Sequence, residues 1–420
     1  MFLKIPRLYD SHTHFLATGE LASGLNLQSL QSAAEIAQWD LSKKSFYRGD
    51  WLVGFGWQDA KWPSPPRKEI LDQLFPNRPV YLAKGDGHTS WVNSAALREL
   101  SLNSETGLLT EADHLRSWDL LPTFTEEQQR NNILAACRVY NSAGFTHVRD
   151  MTGNESLWNS LTALENENLL TVAFEENFTC YDLAGFEKSL HSALYAKKNE
   201  TALLRSKGIK FFYDGSLGSE TAYLSKPYFG LKDGNRGRVL WNLNDVEIMI
   251  KRTWQAGLDI SVHTIGDEAA HDIVSLARKI SAQGFVGRLN LEHVQVLRPE
   301  TIQMMKSLHV RCHMQPCHWL SDRVWLKEKL ADLYRYAFPW EALRAAQIPL
   351  SFGCDSPVEK PSFIANQRAL QESPEENIRR FTGSLEETHA HPDNTFAANS
   401  YTVFENEQVK EVVFQGRSLL

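Results

Sequence analysis

The segment Asp10-Ser11-His12-Thr13-His14 sets two imidazoles one residue apart, just behind a carboxylate. On a strand, alternate side chains share a face, so Asp10, His12 and His14 point together and the two imidazoles can chelate one metal ion. The same spacing also occurs in ordinary strands, where each histidine is a hydrogen-bonded core residue. Three further residues of ligand type, His263, His293 and Asp355, stand at the ends of later apolar runs. Imidazole nitrogens and carboxylate oxygens suit zinc and its divalent neighbours. Whether these four positions make one site depends on whether the fold brings the run ends together.

The elements that would do so are legible as short β-branched or aromatic runs alternating with helical patterns. Eight runs stand out, most of them ending in polar or reactive residues: Arg7 to His12, Thr146 to Met151, Thr171 to Phe178, Gly208 to Tyr213, Leu258 to His263, Leu289 to His293, Val310 to Gln315, and Pro349 to Asp355. Eight such units predict an α/β fold, a (β/α)8 TIM barrel, whose active site lies where the strands end. Between Asp267 and Gln283, apolar residues recur at helical spacing, with Asp267 expected to cap the start and Gly284 to end it. Thr125 with Gln128, and Ser373 with Glu376, read as capping boxes opening two more helices. The first two barrel strands are far apart in sequence. The stretch of about 16–144 carries its own strand-like runs, Trp51 to Trp57 and Val80 to Lys84, and reads as an inserted subdomain. The expected organisation is therefore a barrel with this insertion over 1–395 and a C-terminal β-hairpin over 396–420, from Tyr401 to Glu405 and Val409 to Gln415.

Composition narrows the function classes. A net charge of -7 without a basic stripe argues against nucleic-acid binding. No apolar run approaches the roughly 18 residues of a membrane helix. Five scattered cysteines, an odd number, and a start lacking signal-peptide character point to a cytoplasmic protein. The segment from Asp214 to Thr221 lacks the Lys-Ser or Lys-Thr ending of a P-loop, so nucleotide binding has no support. Of the twelve tryptophans, Trp57, Trp62, Trp91, Trp319 and Trp325 fall near the expected barrel mouth. They suit either an aromatic substrate wall or the core of the insertion.

Several motifs in order carry a wider likeness: Asp10 to His14, Gly54-Phe55-Gly56-Trp57, Asp86-Gly87-His88, Lys210 with Asp214-Gly215-Ser216-Leu217-Gly218-Ser219, His263-Thr264-Ile265-Gly266-Asp267, Glu292-His293, Gln315-Pro316-Cys317-His318, and Gly353-Cys354-Asp355-Ser356-Pro357. In these the chain resembles the amidohydrolase superfamily, and within it the branch of N-substituted formamide deformylases. The resemblance implies a site of two divalent metal ions, with zinc the favoured metal. His12, His14 and Asp355 would hold the first ion, and His263 and His293 the second. Lys210, carboxylated to a carbamate, would bridge them, since an unmodified ammonium has no lone pair to offer. Without the family pattern, Lys210 reads as a buried lysine paired with Asp214 or Glu292. Asp355 would act as general base and acid for a metal-bridging hydroxide, and His318 and His88 would contact the substrate. His391, beside Pro392, is expected to be exposed.

The reaction so implied is hydrolysis of a carbon–nitrogen bond, other than a peptide bond, in a small-molecule amide. A mononuclear deaminase is weaker, because the glutamate that such enzymes carry three residues after the strand-five histidine is replaced by Gly266. Hydrolysis of another ester or ring amide stays open, as does a catalytically silent scaffold, although every ligand position is filled. The family's small β-sandwich is expected to survive only as the C-terminal hairpin, packed on the barrel or on a second copy in a homodimer.

Overall fold

A computed structural model describes residues 2–85, 87–230, 234–373 and 380–420, with the side chains of 111, 112, 115 and 119 excepted. The chain divides into two units, Met1–His14 with Tyr140–Leu420, and Phe15–Val139.

The first unit is built on eight parallel strands: β1 (Tyr9–Thr13), β2 (His147–Gly153), β3 (Ala173–Thr179), β4 (Leu204–Phe212), β5 (Asp259–Thr264), β6 (Leu289–His293), β7 (Val310–Met314) and β8 (Leu350–Phe352). Each pairs with its sequence neighbour, and a parallel bridge from Thr13 to Ser356 joins the first strand to the segment after the last. This is the (β/α)8 order expected from the runs. Buried on both faces, parallel strands carry little alternation, which is why they read as continuous apolar runs. Helices Glu155–Asn166, Leu183–Lys198, Leu243–Gln255 and Asp267–Ala282 fill the first crossovers. The helix Asp267–Ala282 starts at its expected cap, so the cap itself lies one residue earlier. Gly266 is the N-cap, and the Asp267 carboxylate accepts instead from Ser225 N–H at 2.9 Å. Gly284, at φ 90°, does follow the C-cap, as expected.

Phe2–Pro6 forms a strand antiparallel to Tyr401–Glu405, in a sheet completed by Gln408–Phe414 and Arg417–Ser418. The C-terminal hairpin is thus half of a four-stranded sheet, where the sequence showed two strands. It packs on the barrel, with the Phe404 and Phe363 rings 4.8 Å apart. Gly144 lies under it at φ 93°, where a Cβ would stand 2.8 Å from Thr402. His391 is buried in this unit with Nε2 3.1 Å from Glu175 Oε1, not exposed. Among the described residues no helix is long and apolar enough to cross a membrane.

The second unit holds a six-stranded sheet whose central strands are Trp51–Trp57, Val80–Lys84 and Thr89–Val92. Leu52, Trp57, Leu82 and Trp91 pack into one core cluster, and Trp51, Val53, Phe55, Tyr81 and Val92 into another. Trp57 and Trp91 are therefore core residues. Thr125 and Gln128 form the reciprocal capping box: Thr125 N–H donates to Gln128 Oε1 at 3.1 Å, and Gln128 N–H to Thr125 Oγ1 at 3.2 Å. Of the other box, Glu376 lies outside the described residues, and Ser373 is the C-cap of the preceding helix, Phe363–Glu372.

Candidate metal centre

Barrel closure brings the first and last motifs together. Asp355 N–H donates to the His12 carbonyl at 2.9 Å, and His14 N–H to the Ser356 carbonyl at 2.8 Å. Asp355 sits at φ 60°, a left-handed conformation that aspartate tolerates better than most residues. Its carboxylate becomes the hub of the imidazoles. Oδ1 is 3.4 Å from His12 Nε2 and 3.3 Å from His14 Nε2, while Oδ2 is 3.9 Å from His293 Nδ1 and 3.8 Å from His318 Nε2.

Strand β6 supplies two side chains to this volume, although alternation would point neighbours to opposite faces. Glu292 lies on the inner face, where its Oε2 is 2.7 Å from His12 Nδ1. His293 follows at φ 70° and Val294 at φ 39°, so the strand ends in two left-handed residues. That conformation costs about 1–3 kcal/mol per residue. It also turns His293 into the site, with its ring 4.6 Å from His12 and 4.5 Å from His263. Val294 N–H is held by the Thr264 carbonyl at 2.9 Å. The strain therefore sits at a position that turns a residue of ligand type inward.

Hydrogen bonds set which nitrogens face inward. Glu292 engages His12 Nδ1, which leaves Nε2 to face Asp355. His263 Nε2 donates to the Gly215 carbonyl at 3.0 Å, which makes Nδ1 the nitrogen with the lone pair. His293 Nδ1 meets Gln315 Oε1 at 2.8 Å, and the Gln295 amide donates to His318 Nδ1 at 3.2 Å. Asp10 is a brace: its Oδ1 accepts from His12 N–H at 3.2 Å and Cys354 N–H at 3.0 Å, and burial pushes its carboxyl up to about 7.

Lys210, on β4, is fully buried, and its amine has no hydrogen-bond partner among the described residues. Asp214, one partner considered for it, spends its carboxylate on the backbone N–H groups of Ile265, Gly266 and Tyr223 at 3.0, 2.8 and 2.9 Å. Glu292, the other, is occupied by His12 and by Arg149 Nη1 at 2.9 Å. Burial lowers the Lys210 amine to about 8 against the opposing pull of Glu292 and Asp355. Burial would raise both of those carboxylates. The His12 imidazole instead holds Asp355 well below the usual range, and the Arg149 guanidinium does the same for Glu292.

The donor set fits a divalent cation. His12, His293 and Asp355 each offer one ligand atom, all within 4.8 Å of one another and all buried. His12 Nε2 and Asp355 Oδ1 are buried polar atoms without a hydrogen bond among the described residues, and they face each other. His14 flanks this group through Asp355, and His263 flanks it through His293. His88 belongs to the second unit, buried just before Thr89–Val92, and Asp86 of its motif lies outside the described residues. Arg149 carried no signal in the sequence. Its role follows from the buried charge of Glu292 across the barrel, which no local pattern reports.

The chain is similar to known proteins over most of its length. Residues 4–363 match the model of the amidohydrolase family. The chain is 27% identical over 378 residues to the Bacillus subtilis protein YtcJ, spanning 84% of this chain and 70% of that protein. It is 24% identical over 389 residues to LONG AFTER FAR-RED 3 of Arabidopsis thaliana, spanning 84% of this chain and 66% of that protein. Among solved structures, a metal-dependent hydrolase from Pyrococcus furiosus superposes with a TM-score of 0.69 at 26% identity, over 92% of this chain and 80% of its own. With its match running from the first barrel strand past the last, the chain belongs to the amidohydrolase family.

Proposed function

We propose that the protein hydrolyses a carbon–nitrogen bond, other than a peptide bond, in a small-molecule amide such as an N-substituted formamide or a related acyl amine. The observation that carries this reading is the buried convergence of His12, His293 and Asp355 at the C-terminal ends of the barrel strands. In the full site, His12, His14 and Asp355 would hold one divalent ion and His263 and His293 a second, with Lys210, carboxylated to a carbamate, as the ligand they share. Zinc suits these ligands. Once bound, the ions supply an acidified water and polarise the substrate carbonyl.

The chain's own residues do the rest. Asp355 stands among four imidazoles, so its carboxylate is ionised and ready to accept a proton from water at Oδ1 or Oδ2. As the carbon–oxygen bond forms and the carbon–nitrogen bond breaks, the same carboxyl returns that proton to the leaving nitrogen. His318, held by Gln295 and kept neutral by burial, would donate a hydrogen bond to the developing oxyanion. The Lys210 amine lacks a hydrogen-bond partner among the described residues, and burial lowers it to about 8, which enlarges the neutral fraction that can react with carbon dioxide.

A panel of formamides, acyl amines, esters and ring amides tests the assignment on metal-loaded protein. Turnover of acyclic amides above the other classes supports it. Preference for an amino-substituted ring with release of ammonia would replace it with deamination. No turnover of any class by protein that binds metal would favour the silent scaffold.

A further inference from the structure

The inner face of β4 does not end at Lys210. The strand runs on to Phe212, two residues further, so Phe212 points to the same side as Lys210 one layer nearer the strand ends. On β3, Thr179 is the register partner of Lys210, which brings Tyr181 alongside Phe212. The two rings stack, with centroids 6.1 Å apart and planes at 14°. Phe212 is also 5.1 Å from the His263 ring, and the Lys210 amine lies 4.3 Å over its centroid.

Exposure separates this pair from its surroundings. Lys210 and His263 are buried, whereas Phe212 and Tyr181 are each partly open. Of the tryptophans that sequence alone offered as an aromatic wall, Trp57, Trp91 and Trp319 are buried, while Trp62 and Trp325 are partly open, Trp62 packed on the core of the second unit and Trp325 beside Lys329. A stacked pair of aromatic rings left partly in water beside a set of metal-ligand residues is apolar area that a bound ring would cover. A single ring contact separates Phe212 from His263, so such a ring would be carried close to the reacting bond, not on a long chain.

We propose that the Tyr181–Phe212 stack is the binding face for an aromatic group of the substrate, which makes aryl- or arylmethyl-substituted amides the preferred class. The proposal rests on the reading of this site as a metal-dependent amide hydrolase, and the test keeps the two apart. Benzohydroxamate and cyclohexanecarbohydroxamate chelate a metal through the same two oxygens and differ in whether the ring has a π face. Each is titrated calorimetrically into the metal-loaded full-length protein. The wild type is expected to bind the benzo compound about three- to tenfold more tightly. Tyr181→Ala, with metal content unchanged, is expected to bring that ratio close to one, and Tyr181→Phe to restore it. A wild-type ratio near one, a ratio unchanged in Tyr181→Ala, or no binding of either compound would overturn the aromatic face. An amide panel run in parallel isolates the other claim. If no amide is turned over while the aryl preference persists and responds to Tyr181, the hydrolytic assignment falls and the aromatic face stands.

Discussion

Glu292 and Arg149 offer the sharpest test of how the centre is held. The Glu292 carboxylate is fully buried between Arg149 Nη1 at 2.9 Å and His12 Nδ1 at 2.7 Å. Glu292→Gln keeps the shape and an oxygen for His12 but removes the charge that compensates the guanidinium. Removing one partner of a buried ion pair costs about 3–5 kcal/mol, because the other charge is left uncompensated. Arg149 retains neutral acceptors in the Ser11 carbonyl at 3.2 Å, Ser261 Oγ at 2.5 Å and Asn177 Oδ1 at 3.4 Å. The lower end of that range, about 3 kcal/mol, is therefore expected. Arg149→Met strands the carboxylate instead and is expected to cost at least as much. The double variant has no stranded charge, so its loss should fall short of the sum by about 1–3 kcal/mol. Urea unfolding of the metal-free proteins measures the three losses. Chelator competition measures metal affinity, which Glu292→Gln should lower by about 10- to 100-fold as His12 loses its orienting carboxylate. Additive losses in the double variant, together with unchanged metal affinity in Glu292→Gln, would refute the reasoning.

Three other outcomes follow from the same geometry. Asp355→Asn is expected to lower amide turnover by more than about 100-fold while the circular dichroism spectrum stays native, and near-normal turnover would remove its acid–base role. If Lys210 carries the carbamate, reconstitution with metal and bicarbonate should give more activity than metal alone, and Lys210→Met should abolish that difference; indifference of the wild type to bicarbonate would count against the bridge. Acid should destabilise the fold through His389 and His147, whose burial lowers them to about 4 and about 3. Each is neutral in the fold but takes a proton in the unfolded chain below about 6.5, so stability falls from pH 6.5 towards 4, by about 1.4 kcal/mol per pH unit for each group. His389→Phe, at a site packed against Phe352 and Phe363, should lose less stability than wild type between pH 7 and 5, and an identical loss in both would contradict this.

The barrel was readable in the sequence because its strands are short apolar runs that end in reactive residues. Where strands carry charge, the reading shortened them. Gly208 to Tyr213 covers only the later part of β4 and runs one residue past it, since Arg205, Ser206 and Lys207 hide the start and Lys207 is compensated by Glu175 at 2.8 Å on the neighbouring strand. Phe2–Pro6 carried no strand signal, with Lys4 and Pro6 inside it and its partner Tyr401–Glu405 at the far end of the chain. His391 looked exposed beside a proline, but its ring is drawn in by a carboxylate on β3. The ligand-type residues were legible one by one as motif histidines and Asp355. The groups that orient them were not. Arg149, Gln295, Gln315 and the Tyr181–Phe212 stack take their roles from register across neighbouring strands, and spacing along one strand does not show it.

The central claim is a pair of metal ions joined through Lys210. Elemental analysis of protein purified without chelators, set beside Lys210→Met, tests it most directly. The account predicts two equivalents of divalent metal per chain in the wild type and at most one in the variant. One equivalent in both would contradict the bridged pair, and none in either, even after reconstitution, would contradict the metal centre itself.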